Sequence, residues 1–244
     1  MKEYYYDLHM HSCLSPCGDD DMTPNNIAGM GVVAKLDIMA LTDHNTCRNC
    51  PAFFKTCEAN GITPVAGMEL TTAEDIHLVC LFEHLEDAMK FSDAVNLQRI
   101  PFRNRVDIFG EQMIMDENDE VIATEENLLS NATMITVDDA PALVESFGGI
   151  CYPAHIDREA NGIVATLGVF PDFPFFPCYE LHDGDKKNDF TARFPFLADK
   201  PCVVSSDAHY LWDISGRLNK FELEVEEETA ENIRKKLFER LKGL

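Results

Sequence analysis

Residues 7–12 read DLHMHS, two histidines spaced two apart behind the aromatic run Tyr4-Tyr5-Tyr6. Alternate residues of a strand leave the same face. His9 and His11 are therefore predicted to point together, close enough to grip one ion. Similar strand endings recur along the chain. LDIMALTDH (36–44) ends in His44, ITPVAGMEL (62–70) carries Glu69 near its end, and GICYPAH (149–155) ends in His155. PCVVSSDAH (201–209) ends in Asp207 and His209, again two apart, and IHLVCLF (76–82) carries His77 near its start. Six of the eight histidines belong to this set, which leaves His84 and His182 with structural roles. Buried charges must pair or coordinate a metal, so these eight residues predict a metal centre.

Those residues must be positioned by a repeating frame. Thr23-Pro24 reads as an N-cap followed by proline at the first helical position, opening a helix to about Lys35. A second helix near 52–60 stops at Gly61, and 86–99 reads as a third. EQMIMDENDEVIA (111–123) alternates about a polar turn and predicts a hairpin. Thr136 is placed to cap a helix through Phe147, before Gly148-Gly149. PCYELHD (177–183) and FELEV (221–225) read as strands. The last helix has acids first, bases last and a stripe of Ile233, Leu237 and Leu241. Strands alternating with helices predict an α/β fold with a parallel, barrel-like sheet, whose strand ends converge on one mouth. No repeat or linker divides the chain. It reads as one domain over 1–244, with an elaboration at about 100–135.

The chain carries 20 Lys+Arg against 43 Asp+Glu, a net charge of −23. Such a surface repels phosphate polymers, whose binding depends on Lys and Arg. The expected partner is thus a small phosphorylated substrate, and a nucleic-acid polymer is not expected. No apolar run is long enough for a membrane span, and the polar start predicts a cytoplasmic protein. Oligomeric state leaves no readable mark. The nine cysteines are odd in number and argue against a disulfide framework. Cys80, Cys151 and Cys202 sit in apolar stretches as small hydrophobes. Cys13, Cys17, Cys47 and Cys50 follow the first two ligand strands and open an alternative, a structural zinc or iron–sulfur cluster in a redox or sensory module.

The ordered set H-x-H, LTDHN, GME, a strand histidine, PAH and SDAH resembles the polymerase and histidinol phosphatase (PHP) phosphoesterases, from His9 to His209. The resemblance implies a distorted seven-stranded β/α (TIM-like) barrel holding two to three divalent ions, Mn, Fe or Zn. By motif, His9 and His11 would hold the first ion with Glu69 and Asp207, and Glu69 would bridge to a second held by His77 and His155. His44 and His209 would hold a third. Here the chain departs from the pattern, because Pro16 stands where an acid would align in the Ser15–Asp19 stretch. Asp19 is the expected replacement, with Asp20 and Cys17 as alternatives. The implied reaction is hydrolysis of a small phosphomonoester or nucleotide by water activated between the ions. Asp43 would orient a ligand histidine and Arg158 would contact the substrate phosphate. An amidohydrolase-type barrel would need a bridging strand-end lysine, and none occurs in the ligand strands. A non-catalytic binding module would have lost ligands that are present here.

Overall fold

A computed structural model describes residues 1–244. Its strands are β1 (Lys2–Asp7), β2 (Ile38–Leu41), β3 (Thr63–Thr71), β4 (His77–Phe82), β5 (Met113–Met115), β6 (Val121–Thr124), β7 (Ile150–Pro153), β8 (Tyr179–Leu181), β9 (Cys202–Val204) and β10 (Lys220–Leu223). Its α-helices are α1 (Pro24–Ala34), α2 (Cys50–Ala59), α3 (Leu85–Asn96), α4 (Val106–Phe109), α5 (Ala140–Ser146), α6 (Ile163–Leu167), α7 (Lys187–Arg193) and α8 (Ala230–Leu241). Thr23 caps α1 by accepting a hydrogen bond from the Asn26 amide, and Thr229 caps α8 in the same way through Asn232. Thr136 does not cap α5. The helix begins at Ala140, and Thr136 instead closes the preceding turn by accepting from the Asp139 amide.

The main sheet is mixed, not parallel, and has six strands in the order β10-β1-β2-β3-β4-β7. The pairs β1–β2 and β2–β3 are parallel, whereas β3–β4, β4–β7 and β1–β10 are antiparallel. The connection from β3 to β4 is too short for a crossover helix, so the chain returns as a hairpin with Asp75 in a left-handed turn. β8 and β9 form a separate parallel pair, and β5 and β6 form the expected hairpin. A closed seven-stranded parallel barrel is therefore not the observed pairing. Between β7 and β8 the Ile156 amide bonds the Glu180 carbonyl, and beside β1 the His11 amide bonds the Ala208 carbonyl. Neither junction carries a ladder, and beside each contact stands a residue of positive φ, His155 at 25° and Asp207 at 52°.

The curled sheet separates two cores. Its concave side is filled by alternate residues such as Tyr6, Leu8, Ile38, Val65, Val79, Leu81 and Tyr152, joined by Ile233, Leu237 and Leu241 of α8. The convex side packs against α1, α2, α3 and α5 through residues such as Ile27, Phe53, Phe91 and Val144. Arg234 of α8 donates to the Pro64 carbonyl, near the start of β3. That contact puts α8 at the end of the sheet away from Glu69. Residues 100–135 lie over the mouth loops, where Asn45 donates to the Leu129 and Asn131 carbonyls and Asn49 to Met113.

Candidate metal centre

The mixed topology explains how residues from unlike strand positions meet. β4 runs opposite to β3, so its first residue, His77, pairs with Thr71 at the end of β3. β7 reverses again, which returns His155 to the same mouth. The loops after β1, β2 and β9 supply His9, His11, His44, Asp207 and His209.

Glu69 is the hub. Its Oε1 lies 2.8 Å from His77 Nδ1, 3.0 Å from His155 Nε2 and 3.3 Å from His9 Nε2. Its Oε2 lies 3.1 Å from His44 Nδ1 and 3.3 Å from His11 Nε2. Asp207 Oδ1 sits 3.1 Å from His11 Nε2 and 3.4 Å from His9 Nε2. His9, His11, Glu69 and Asp207 thus form one buried group able to hold a metal, and His44, Glu69 and His77 form a second. His155 joins through its contact with Glu69.

The hydrogen bonds behind the ligands assign their tautomers. His9 Nδ1–H donates to Glu180 Oε1 at 2.8 Å, leaving its Nε2 lone pair facing inward. Ser15 donates its hydroxyl proton to Asp43 and accepts from His11 Nδ1–H at 3.1 Å, so His11 Nε2 is also a lone pair. The two Nε2 atoms are 3.3 Å apart and face two carboxylates. With imidazoles neutral, no hydrogen lies between these acceptors. The donor set fits divalent cations, which would supply the missing positive charge.

Without an ion, protons partly fill that role. Burial disfavours imidazolium at His9, but Glu180, Glu69 and Asp207 overcome it and raise the affinity of the ring for a proton. The same balance, with Asp207 and Glu69 foremost among the opposing groups, lifts His11 to about 9. Burial raises Glu69 and Asp207, yet the surrounding histidines hold both well below the carboxylate range. Burial lowers His44, and it lowers His209 to about 4 with help from His11.

Asp43 is buried at the base of the first ligand loop. It accepts from the Ser12 amide and from the Ser12 and Ser15 hydroxyls, each at 2.7 Å. Its influence passes through Ser15 to His11, not directly to the adjacent His44. Arg158 bonds Asp207 Oδ2 and lies 3.1 Å from the ring of His182, so His182 belongs to the cleft wall. Asp19 does not join the ligand groups. Its carboxylate turns back to accept from the Asp21 amide, while its own amide donates to the His209 carbonyl. Cys17 takes the place beside His11, His44 and His209. The other loop cysteines do not converge with it. Cys47 and Cys50 donate toward the Gly67 carbonyl and Cys13 toward Met113, so the four cysteines do not form the cluster of the redox alternative.

Glu180 was not among the sequence candidates. Its signal is a single carboxylate in the apolar stretch PCYEL (177–181), a residue type rarely buried without a partner. An open cleft of about 990 Å³ adjoins the ligands and is lined in part by Cys17, Arg158, His182, Asp207, His209 and Tyr210.

Comparison with solved structures finds chains of similar fold. The lesion-specific endonuclease PfuEndoQ from Pyrococcus furiosus matches with a TM-score of 0.69 and 19% identity, over 100% of this chain and 56% of that one. An Endonuclease Q complex with a 27-mer duplex bearing an abasic lesion at the active site matches with a TM-score of 0.62 and 18% identity, covering 96% and 56%. The chain thus spans little more than half the length of either endonuclease. A chain from Bifidobacterium adolescentis assigned as a metal-dependent phosphoesterase matches with a TM-score of 0.58 and 15% identity, over 96% and 95%. Comparison with curated proteins gives no match. The duplex complex overturns the expectation that net charge argues against a nucleic-acid partner. Total charge averages over the whole surface, whereas a strand meets only one local face. No helix is long and apolar enough to cross a membrane. The PHP domain model matches residues 7–156; spanning over half of the sequence, this match shows that the chain belongs to the PHP domain family, a family of metal-dependent hydrolases.

Proposed function

We propose that the protein is a metal-dependent phosphoesterase. The observation that carries this reading is the pair of inward-facing Nε2 lone pairs of His9 and His11, 3.3 Å apart and opposed by Glu69 and Asp207. On this reading His9, His11, Glu69 and Asp207 would hold one ion, His77 and His155 would hold a second together with Glu69, and His44 and His209 would serve a third. Two to three Mn, Fe or Zn ions would supply charge to the phosphoryl oxygens and lower the pKa of bound water. The residues do the positioning. Glu180 and Ser15 hold the imidazoles with lone pairs inward, and Asp43 fixes Ser15. Arg158, at the cleft wall with Nη1 on Asp207, would turn its remaining donors to a substrate phosphate. Asp183, Asp185 and Asp213 line the same cleft and favour a substrate offering one phosphate group, a small monoester or nucleotide.

A second substrate reading has its own support. The cleft is open, and its wall residue Tyr210 stacks on Trp212 with centroids 5.0 Å apart, Trp212 being 75% exposed. An exposed aromatic pair suits a base of a nucleic-acid strand. The neighbour that holds an abasic duplex on this fold agrees with that use.

The test is metal content by elemental mass spectrometry, followed by hydrolysis assays on p-nitrophenyl phosphate, mononucleotides, and single-stranded and abasic duplex oligonucleotides. Bound ions with turnover of monoesters support the first reading, and strand cleavage supports the second. A chain that takes up no Mn, Fe or Zn under any loading condition sinks both.

A further inference from the structure

We propose that Cys17, one residue after the Pro16 position where an acid would align, is a thiolate ligand of the outermost metal subsite. The inference rests on the metal-centre reading above and specifies which atom completes it. Cys17 Sγ and one ring nitrogen each of His11, His44 and His209 all lie within 4.8 Å of one another. His11 is already committed, with Nδ1 on Ser15 and Nε2 toward Glu69 and Asp207. Cys17 and His209 are then the subsite's own donors, with His44 shared between it and the group of Glu69 and His77. His209 donates Nδ1–H to the Asp207 carbonyl at 2.7 Å, which leaves its Nε2 lone pair free. His44 is only 6% exposed, and its Nδ1 lies 3.1 Å from Glu69 Oε2 without making a hydrogen bond to it. A buried imidazole that faces a carboxylate without a hydrogen bond, in one cluster with a thiol and a second lone pair, is the arrangement a cation resolves.

The loop is built to hold the sulfur there. The Ser15 amide bonds the Ser12 carbonyl, the Gly18 amide bonds the Ser15 carbonyl, and the Asp19 amide bonds the His209 carbonyl. The turn is wound so tightly that a Cβ on Gly18 would lie 2.3 Å from the Ser12 carbonyl oxygen. Cys17 is therefore pinned beside His209, while Pro16 offers no ligand and Asp19 is turned to Asp21. One sulfur and two imidazoles make a softer donor set than the carboxylate-rich first group. Such a set favours Zn, Co or Fe over Mn. Binding releases the thiol proton to solvent as the metal–sulfur bond forms.

Cobalt substitution tests this on the full chain. Apo-protein is loaded with Co(II), and both cobalt per chain and the near-ultraviolet sulfur-to-cobalt charge-transfer band are recorded. The expected result is a band in the wild type that is lost in Cys17→Ser together with one cobalt per chain. Cys17→Asp should regain the cobalt without the band and bind Mn there more tightly than the wild type. Circular dichroism of the variants, unchanged from wild type, shows that the fold is kept. Cobalt bound by the wild type without a charge-transfer band overturns the Cys17 assignment and leaves the rest of the centre standing. A band that survives in Cys17→Ser also overturns it. A wild type that binds no cobalt refutes the metal centre itself and this inference with it.

Discussion

The inward-facing imidazoles of His9 and His11 each depend on an outer hydrogen bond that no ligand motif spells out. Glu180 serves two backbone-distant partners, accepting from His9 Nδ1–H and from the His155 amide. In Glu180→Gln one acceptor oxygen remains, but a buried amide NH₂ replaces the second oxygen, which has no partner to receive its hydrogens. Metal affinity should fall about 10–100-fold, as for other outer-shell losses, measured by competition with a chelating dye. Unchanged affinity would show that Glu180 only packs. The residues that converge at the mouth were legible because strand-end histidines and acids are unlike the apolar residues before them. Glu180 and Ser15 were not, because one carboxylate in a strand and one serine in a loop are ordinary until their partners are known. Asp19 was expected at the cluster because a charge nearby in sequence looks available, yet a turn of two residues satisfied it locally.

At the scale of elements, strand positions were largely readable and their directions were not. The pattern of apolar runs cannot distinguish a hairpin from a crossover when both bury the strand on two faces. β4 shows the consequence, since its antiparallel course moves a strand-start histidine to the mouth. The opposite end of the sheet is sealed by α8, whose apolar stripe was visible in the sequence and is buried as expected at Ile233, Leu237 and Leu241. This separation predicts that stability and metal binding can be uncoupled. Leu237→Ala should cost about 2–5 kcal/mol in denaturant unfolding of the metal-loaded protein, with metal affinity within about twofold of wild type. A large affinity loss at full folding would show that the base of the sheet and its mouth respond together.

For the molecule as a whole, protons and cations compete for the same lone pairs. His11 is raised to about 9 in the cation-free chain. Its ion pairs therefore stabilise that form fully below the ordinary imidazole value of about 6.5, and this contribution is lost as pH rises through about 9. The thermal shift produced by added Zn or Mn should accordingly grow from pH 6 to pH 9. A shift that shrinks over this range would contradict the assigned ligands. Net charge was the least informative whole-molecule feature, because a sum over 244 residues says nothing about which face a partner meets.

The unladdered junction between β1 and β9 has a mechanical consequence. Only a few bonds cross it, among them His11 to Ala208 and Leu8 to the Ser205 hydroxyl. Yet His9 and His11 stand on one side of that seam, and Asp207 and His209 on the other. Cations shared by these side chains would act as a clasp across the gap, joining segments far apart in the chain where the backbone itself leaves the ring unfastened. Hydrogen exchange of the amides at 203–209 should be slowed by metal far more than that of β3, which is held by ladders on both edges. Equal protection in both would mean that the seam holds by packing alone, and that the ions are passengers in a ring already shut.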